Sequence, residues 1–339
     1  MSNLESNLDT GFSWFKVIAL TLGISALMLA QFLPAGVLVP MSLDLGVSEG
    51  VVGQTVTVTS IFAVISSLFI SYIAKDVDRK KILIFLSLLT FISCLAMMVL
   101  ESIYTIMLSR AILGISIGGY WALVTAVVYK IVPESQIPKA LSIVFGGASF
   151  SGMLAAPLGS YIGNIIGWRN VFGINAAMAL LAVVALMGFL PFVSAGGAVD
   201  IKTIFRVSRK KGVTPGLLTI FTAFFGRYAF LTYLNPIVEN ELGYDSIYTS
   251  IFFFMFDFFY FVGTFIAAWS IKNHYQKTLY LPQLGLFISM LCFIVFAGSV
   301  WPLAVILILA GICFGHVPIV WSSWGPNFQP NYTEQMGGL

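Results

Sequence analysis

Leu108-Ser-Arg-Ala-Ile-Leu-Gly-Ile-Ser-Ile-Gly-Gly-Tyr-Trp121 decides the fold. It sets Arg110 inside an apolar run and follows it with Gly114, Gly118 and Ala122 at four-residue spacing. A charge at the centre of a bilayer costs about 3 kcal/mol or more, so it faces a polar interior and marks a working site. Small residues every fourth position let a second helix approach closely. A charge and a packing seam in one apolar segment belong to a membrane helix.

The whole chain agrees. Of its 339 residues, 59% are apolar and only 9% charged, against roughly 25% charged in a soluble domain. The expected class is all-α, a polytopic membrane helix bundle. About 20 apolar residues cross a bilayer, and ten such spans are expected, at 15–40, 50–74, 82–100, 103–129, 139–162, 169–193, 214–238, 247–271, 279–297 and 301–322. The first run is too long for a signal-peptide core, and no cleavage site follows it. With the N-terminus in the cytosol, 14 of the 17 Lys and Arg residues fall on the cytosolic side; Arg169 falls outside, and Arg110 and Arg227 within the membrane. That asymmetry orients the chain. Residues 194–213 begin Gly/Ser-rich and end basic and amphipathic, as a cytosolic linker on an anionic leaflet would. The expected domains are 1–193, a six-helix bundle, and 214–339, with four helices.

The halves repeat at a fixed offset. Leu45-Gly46-Val47-Ser48 recurs as Leu242-Gly243-Tyr244-Asp245, and Gly114-Ile115-Ser116-Ile117-Gly118 as Gly311-Ile312-Cys313-Phe314-Gly315, both shifted by 197. This is a parallel repeat of a six-helix unit. Under it Leu339 corresponds to Ser142, near the start of the fifth helix, so the sequence is expected to lack the last two helices of twelve; a truncated chain is the favoured explanation, and a second half of only four helices the other.

Net charge is only +3, which gives a nucleic-acid partner no support, and none is expected. Cys94, Cys292 and Cys313 are scattered through apolar runs and read as inert thiols with no metal or disulfide framework. Gly114 to Gly118 spells the nucleophile-elbow motif, but mid-helix rather than at a strand–turn–helix junction. No phosphate-binding loop occurs. An enzyme is not expected. The sequon at Asn331 falls on the cytosolic side.

Three stretches, 108–123, 156–172 and 317–324, resemble the major facilitator superfamily, and within it the drug:proton antiporter branch that includes bacterial sugar and purine-ribonucleoside efflux permeases. The resemblance implies two six-helix bundles in the inner membrane, a monomer that exports a small solute by alternating access, and no cofactor beyond the proton gradient. An uncoupled facilitator or multidrug exporter is the first alternative, and an inactive truncated membrane protein the second.

On that resemblance Arg110 matches an arginine associated with proton transfer; a structural arginine bonding carbonyls is its other reading. Asp257 is the acidic residue well inside a span, and Arg227 lies at similar depth one helix earlier. The two form either a proton-coupled switch or a static pair. His316 titrates near neutral pH and is a further coupling candidate, or else a core histidine. Gln31 stands where similar permeases often carry a glutamate. It joins Tyr120, Trp121, Tyr233, Asn235 and Trp321 as substrate-cavity candidates, since aromatic faces and polar tips suit a sugar or nucleobase. The loop around Asp76, Asp78, Arg79 and Lys80 is a poor match to the family's cytosolic charge latch between the second and third helices. Ser71 stands there for its first glycine. Gly152, Ala156, Pro157 and Gly159 resemble the antiporter motif of the fifth helix, with two small-residue stripes and a proline kink.

Overall fold

In a computed structural model, residues 13–73, 75–194, 206–210, 212–238, 242–244, 246–296, 299–329, 332 and 336 are described. Tyr233 and Asn235 lie on a described helix, but their side chains, like that of Ser71, fall outside the described residues, as do 195–205 of the linker and Asn331. The chain divides into two compact units, residues 1–207 with 329–339, and 208–328.

The first unit starts with α1 (Trp14–Gly36), whose first turn is closed by Ser13 Oγ accepting from the Phe15 amide. The expected span to residue 40 breaks at Val37, three residues beyond Pro34, and a short α2 (Leu38–Leu45) follows. Gly46 ends α2 with φ 62°, a left-handed cap that favours glycine. Then come α3 (Glu49–Ile73), α4 (Arg79–Val99), α5 (Ile103–Ile131), α6 (Ile137–Ile166) and α7 (Trp168–Phe189). Helix α3 packs on α5, α1 on α6 and α7, and α4 on α7.

The second unit holds α8 (Val213–Pro236), α9 (Ser246–Phe296) and α10 (Val300–Phe328). At 1.5 Å per residue α9 would extend about 77 Å, over twice a hydrocarbon core. It turns at His274 (φ −146°, ψ 51°). The two spans expected at 247–271 and 279–297 are therefore one helical path bent at a single residue. Lys272 to Thr278 contains no Gly or Pro to end a helix. Among the described residues eight helices are long and apolar enough to cross a membrane, α9 with its bend holding two of the expected spans and α8 not being one of the eight. Large apolar side chains stay open on the outside, such as Trp301 (82%) and Phe192 (76%), a surface suited to lipid rather than water.

The internal repeat reaches atomic detail. Ser246 starts α9 as Glu49 starts α3, Phe296 ends α9 as Val99 ends α4, and α5 matches α10 at both ends, all offset by 197. Gly243 has φ 70°, like its counterpart Gly46. A Cβ on Gly114 would strike the Thr59 carbonyl, Phe62 and Ala63; on Gly311 it would strike the Phe256 carbonyl, Phe259 and Tyr260, the same three places shifted by 197. Gly118 and Gly315 sit likewise against the carbonyls of Ala63 and Tyr260. Polar side chains fix α5 on both sides: Ser66 Oγ of α3 donates to the Ile115 carbonyl at 2.7 Å, and Ser116 bonds Thr90 at 2.8 Å and the Leu86 carbonyl, both on α4.

Helix α6 runs unbroken past Pro157. Its stripe Ser151, Ala155, Gly159 and Gly163 is buried, whereas Gly152 and Ala156 are half-buried and Pro157 is exposed. Gly159 faces the Leu33 carbonyl, and Gly36 lies so close to the Ala156 backbone that a side chain there would collide with it. The motif thus serves as a packing seam between α6 and the kinked end of α1.

Candidate functional site

Arg110 is fully buried on α5. Its Nη1 donates to the Ala30 carbonyl at 2.7 Å, and its Nη2 to the Gln31 carbonyl at 3.3 Å and Gln31 Oε1 at 3.4 Å. Among the described residues its Nε has no partner. The carbonyl-bonding arrangement expected of a structural arginine is therefore present, and it runs through the half-buried Gln31. One turn earlier on α1, the Ala26 carbonyl accepts from Asn175 Nδ2 at 3.1 Å, and the same nitrogen reaches Cys94 Sγ at 3.3 Å. Asn175 went unnoticed in the sequence, although an amide set inside the apolar span 169–193 was a legible signal.

In the second unit Arg227 on α8 pairs with Asp257 on α9 at 3.3 Å. Their side chains are 16% and 29% exposed, so the pair is neither sealed nor open. Aromatic rings surround the guanidinium: Phe314 at 4.9 Å, Tyr260 at 5.3 Å, Tyr228 at 5.5 Å and Phe256 at 5.7 Å from its carbon to the ring centres. Each such contact adds roughly 0.5–2 kcal/mol as it is desolvated. Arg227 also borders a cavity of about 250 Å³, walled by Phe230, Phe256, Phe287 and Phe314 with Thr222 and Gln283. His316 is buried, with Nδ1 2.9 Å from the Ile312 carbonyl of its own helix, the arrangement of a satisfied core histidine.

The aromatic candidates separate. Tyr120, expected on a cavity wall, is fully buried between α5 and α1: its hydroxyl donates to the Leu20 carbonyl at 2.9 Å and its ring fills the space over Gly23. Trp121 is half-buried against Phe145, and Trp321 packs edge-on to Trp324 at 5.2 Å.

The latch also differs from expectation. Asp78 caps α4, accepting from the Lys80 amide at 2.9 Å, and accepts from the Val193 amide at 3.0 Å; the Arg79 amide returns a bond to the Val193 carbonyl at 3.0 Å. Lys80 Nζ reaches the Met187 carbonyl and Lys130 Nζ that of Ser194. Among the described residues the bonds of Asp78 and Lys80 run to the end of α7 and the residues after it, because α4 packs beside α7 and Asp78 is its N-cap. Asp76 is exposed. Asp78→Ala removes the cap and the Val193 bond together. We expect a loss of about 2 kcal/mol, read as a lower melting temperature in detergent.

A second grip was missed. Arg169 donates to Asp44 at 2.8 Å and to the Leu100 carbonyl at 2.5 Å, while Trp168 Nε1 donates to the same carboxylate at 3.2 Å. It ties α2 and the end of α4 to the start of α7.

Helices with repeated close seams, internal charges held by carbonyls and aromatic rings, and an apolar outer surface define a multi-pass membrane protein. Residues 20–339 match the Major Facilitator Superfamily, and the chain belongs to that family: it is a transporter and not an enzyme. It is 37% identical over 327 residues to the purine ribonucleoside efflux pump NepI of Salmonella paratyphi B, covering 96% of this chain and 82% of the relative, and equally to that of Salmonella typhimurium. Its fold resembles the proton:xylose symporter XylE (TM-score 0.74, 17% identity, 96% of this chain and 85% of that one) and the human organic anion transporter MFSD10 (0.72, 15%, 96% and 88%).

Proposed function

We propose that this chain exports small polar solutes of the purine-ribonucleoside class across the inner membrane, by alternating access and driven by the proton gradient. Its N-terminus is cytosolic and it acts as a monomer, with bundles 1–193 and 214–339 joined by 194–213. The observation that carries the solute class is the 37% identity, over 96% of the chain, to pumps named for it. Coupling is supported by the Arg227–Asp257 pair: protonating Asp257 removes the charge that balances Arg227, so proton binding changes the internal electrostatics of the second unit. Orientation rests on the Lys and Arg asymmetry.

An uncoupled facilitator is the second reading. Gln31 favours it, because an amide, which cannot titrate, holds the place where similar permeases often carry a glutamate. Cells preloaded with labelled inosine distinguish the two. Coupled export is expected to release label faster than in cells lacking the protein, and to lose that advantage with a protonophore. Persistence of the advantage supports the facilitator, and equal release in both cells overturns export of this class.

A further inference from the structure

Pro34 lies inside α1. An internal proline has no N–H to give, so the carbonyl four residues earlier loses its helical donor. Here that carbonyl is Ala30. Buried in an apolar bundle, an acceptor without a partner is destabilising. Arg110 meets this acceptor from another helix, at 2.7 Å, the shortest of its three bonds. Among the described residues no carboxylate pairs with Arg110. Its charge rests on oxygen atoms of α1.

We propose that Pro34 and Arg110 are one positioning device: the proline opens an acceptor in α1, the arginine supplies the missing donor, and the guanidinium so anchored orients the Gln31 amide for solute recognition. Arginine only donates, so Gln31 must turn its Oε1 towards Arg110. Its Nε2 is then the remaining donor of the amide: among the described residues the side-chain bond of Gln31 runs through Oε1, on a side chain that is half-buried. The group displayed is a neutral hydrogen-bond donor, matched to a solute acceptor such as a purine ring nitrogen, a carbonyl or a ribose oxygen. Arg110 is a positioning residue and Gln31 the recognising one. The recognition half rests on the proposed nucleoside export; the Pro34–Arg110 half does not.

A double-mutant cycle tests the anchor on the full chain in detergent. Arg110→Met is expected to lower the melting temperature by roughly 5 °C with Pro34 present and by less than half of that in Pro34→Ala, where residue 34 regains its N–H. Additive effects overturn the device. Should Arg110→Met yield no folded protein, Pro34→Ala is expected to restore it, and failure to do so counts equally against the pairing. For recognition, Arg110→Lys keeps one donor for Ala30 and loses the fork to Gln31. It and Gln31→Met should each raise the KM for inosine about fivefold with kcat little changed. An unchanged KM in both overturns the recognition half. If the wild-type chain moves no inosine, the proposed solute class fails, and the melting cycle alone decides whether Pro34 and Arg110 are paired.

Discussion

Asp257→Asn is expected to abolish protonophore-sensitive inosine release, reducing it to the level of cells without the protein. The carboxylate is the titrating half of a pair at 3.3 Å whose other half never loses its charge. Asparagine keeps the shape and removes both the charge and the ability to bind a proton. Breaking a fully buried pair costs about 3–5 kcal/mol, chiefly through the charge left behind. The cost here is smaller, because 29% of the Asp257 side chain is open and four aromatic rings still face the guanidinium. Folded protein should therefore be recovered, with transport lost. Arg227→Met with Asp257→Asn should be less unstable than the sum of the two single changes, since no uncompensated charge remains. Protonophore-sensitive release by Asp257→Asn at the wild-type rate would remove Asp257 from coupling and leave a static pair.

Gly118→Leu is expected to prevent recovery of folded protein, seen as loss of the monodisperse peak after detergent extraction. Even a single Cβ would enter the Ala63 carbonyl, and backbone cannot step aside as a side chain can. Overpacking costs about 1–3 kcal/mol per added group where neighbours yield, and more where they do not. Gly315→Leu should fail in the same way, because Gly315 meets the Tyr260 carbonyl as Gly118 meets that of Ala63. Gly188→Leu is the control: nothing lies within 4 Å of its would-be Cβ, and folded protein should persist. A well-behaved Gly118→Leu protein would show that the seam is not the organising contact.

These two cases mark how far the chain could be read in one dimension. Gly114 and Gly118 announced a seam by spacing alone, and their recurrence 197 residues later announced a second. A helix has a fixed period, so four-residue spacing projects onto one face wherever the helix goes. The Asp257–Arg227 pair was likewise foreseeable from depth in neighbouring spans, because two lone charges in hydrocarbon seek each other. Tyr120 and Asp78 were not. Which neighbour a side chain meets depends on helix rotation and crossing, and those follow from the sum of many packing contacts. Tyr120 thus went to the Leu20 carbonyl, and Asp78 to Val193, 115 positions away.

Composition and period alone determined that this protein is a helical membrane bundle with a repeated unit, since apolar length and small-residue spacing are local quantities. Tertiary structure decided what the internal charges do. Leu108 to Trp121 shows a costly arginine but not its partner. Only the crossing of α5 over α1 sets Arg110 against the Ala30 carbonyl that Pro34 leaves without a donor, because a hydrogen bond between residues 80 positions apart is a property of three-dimensional packing and of no local pattern.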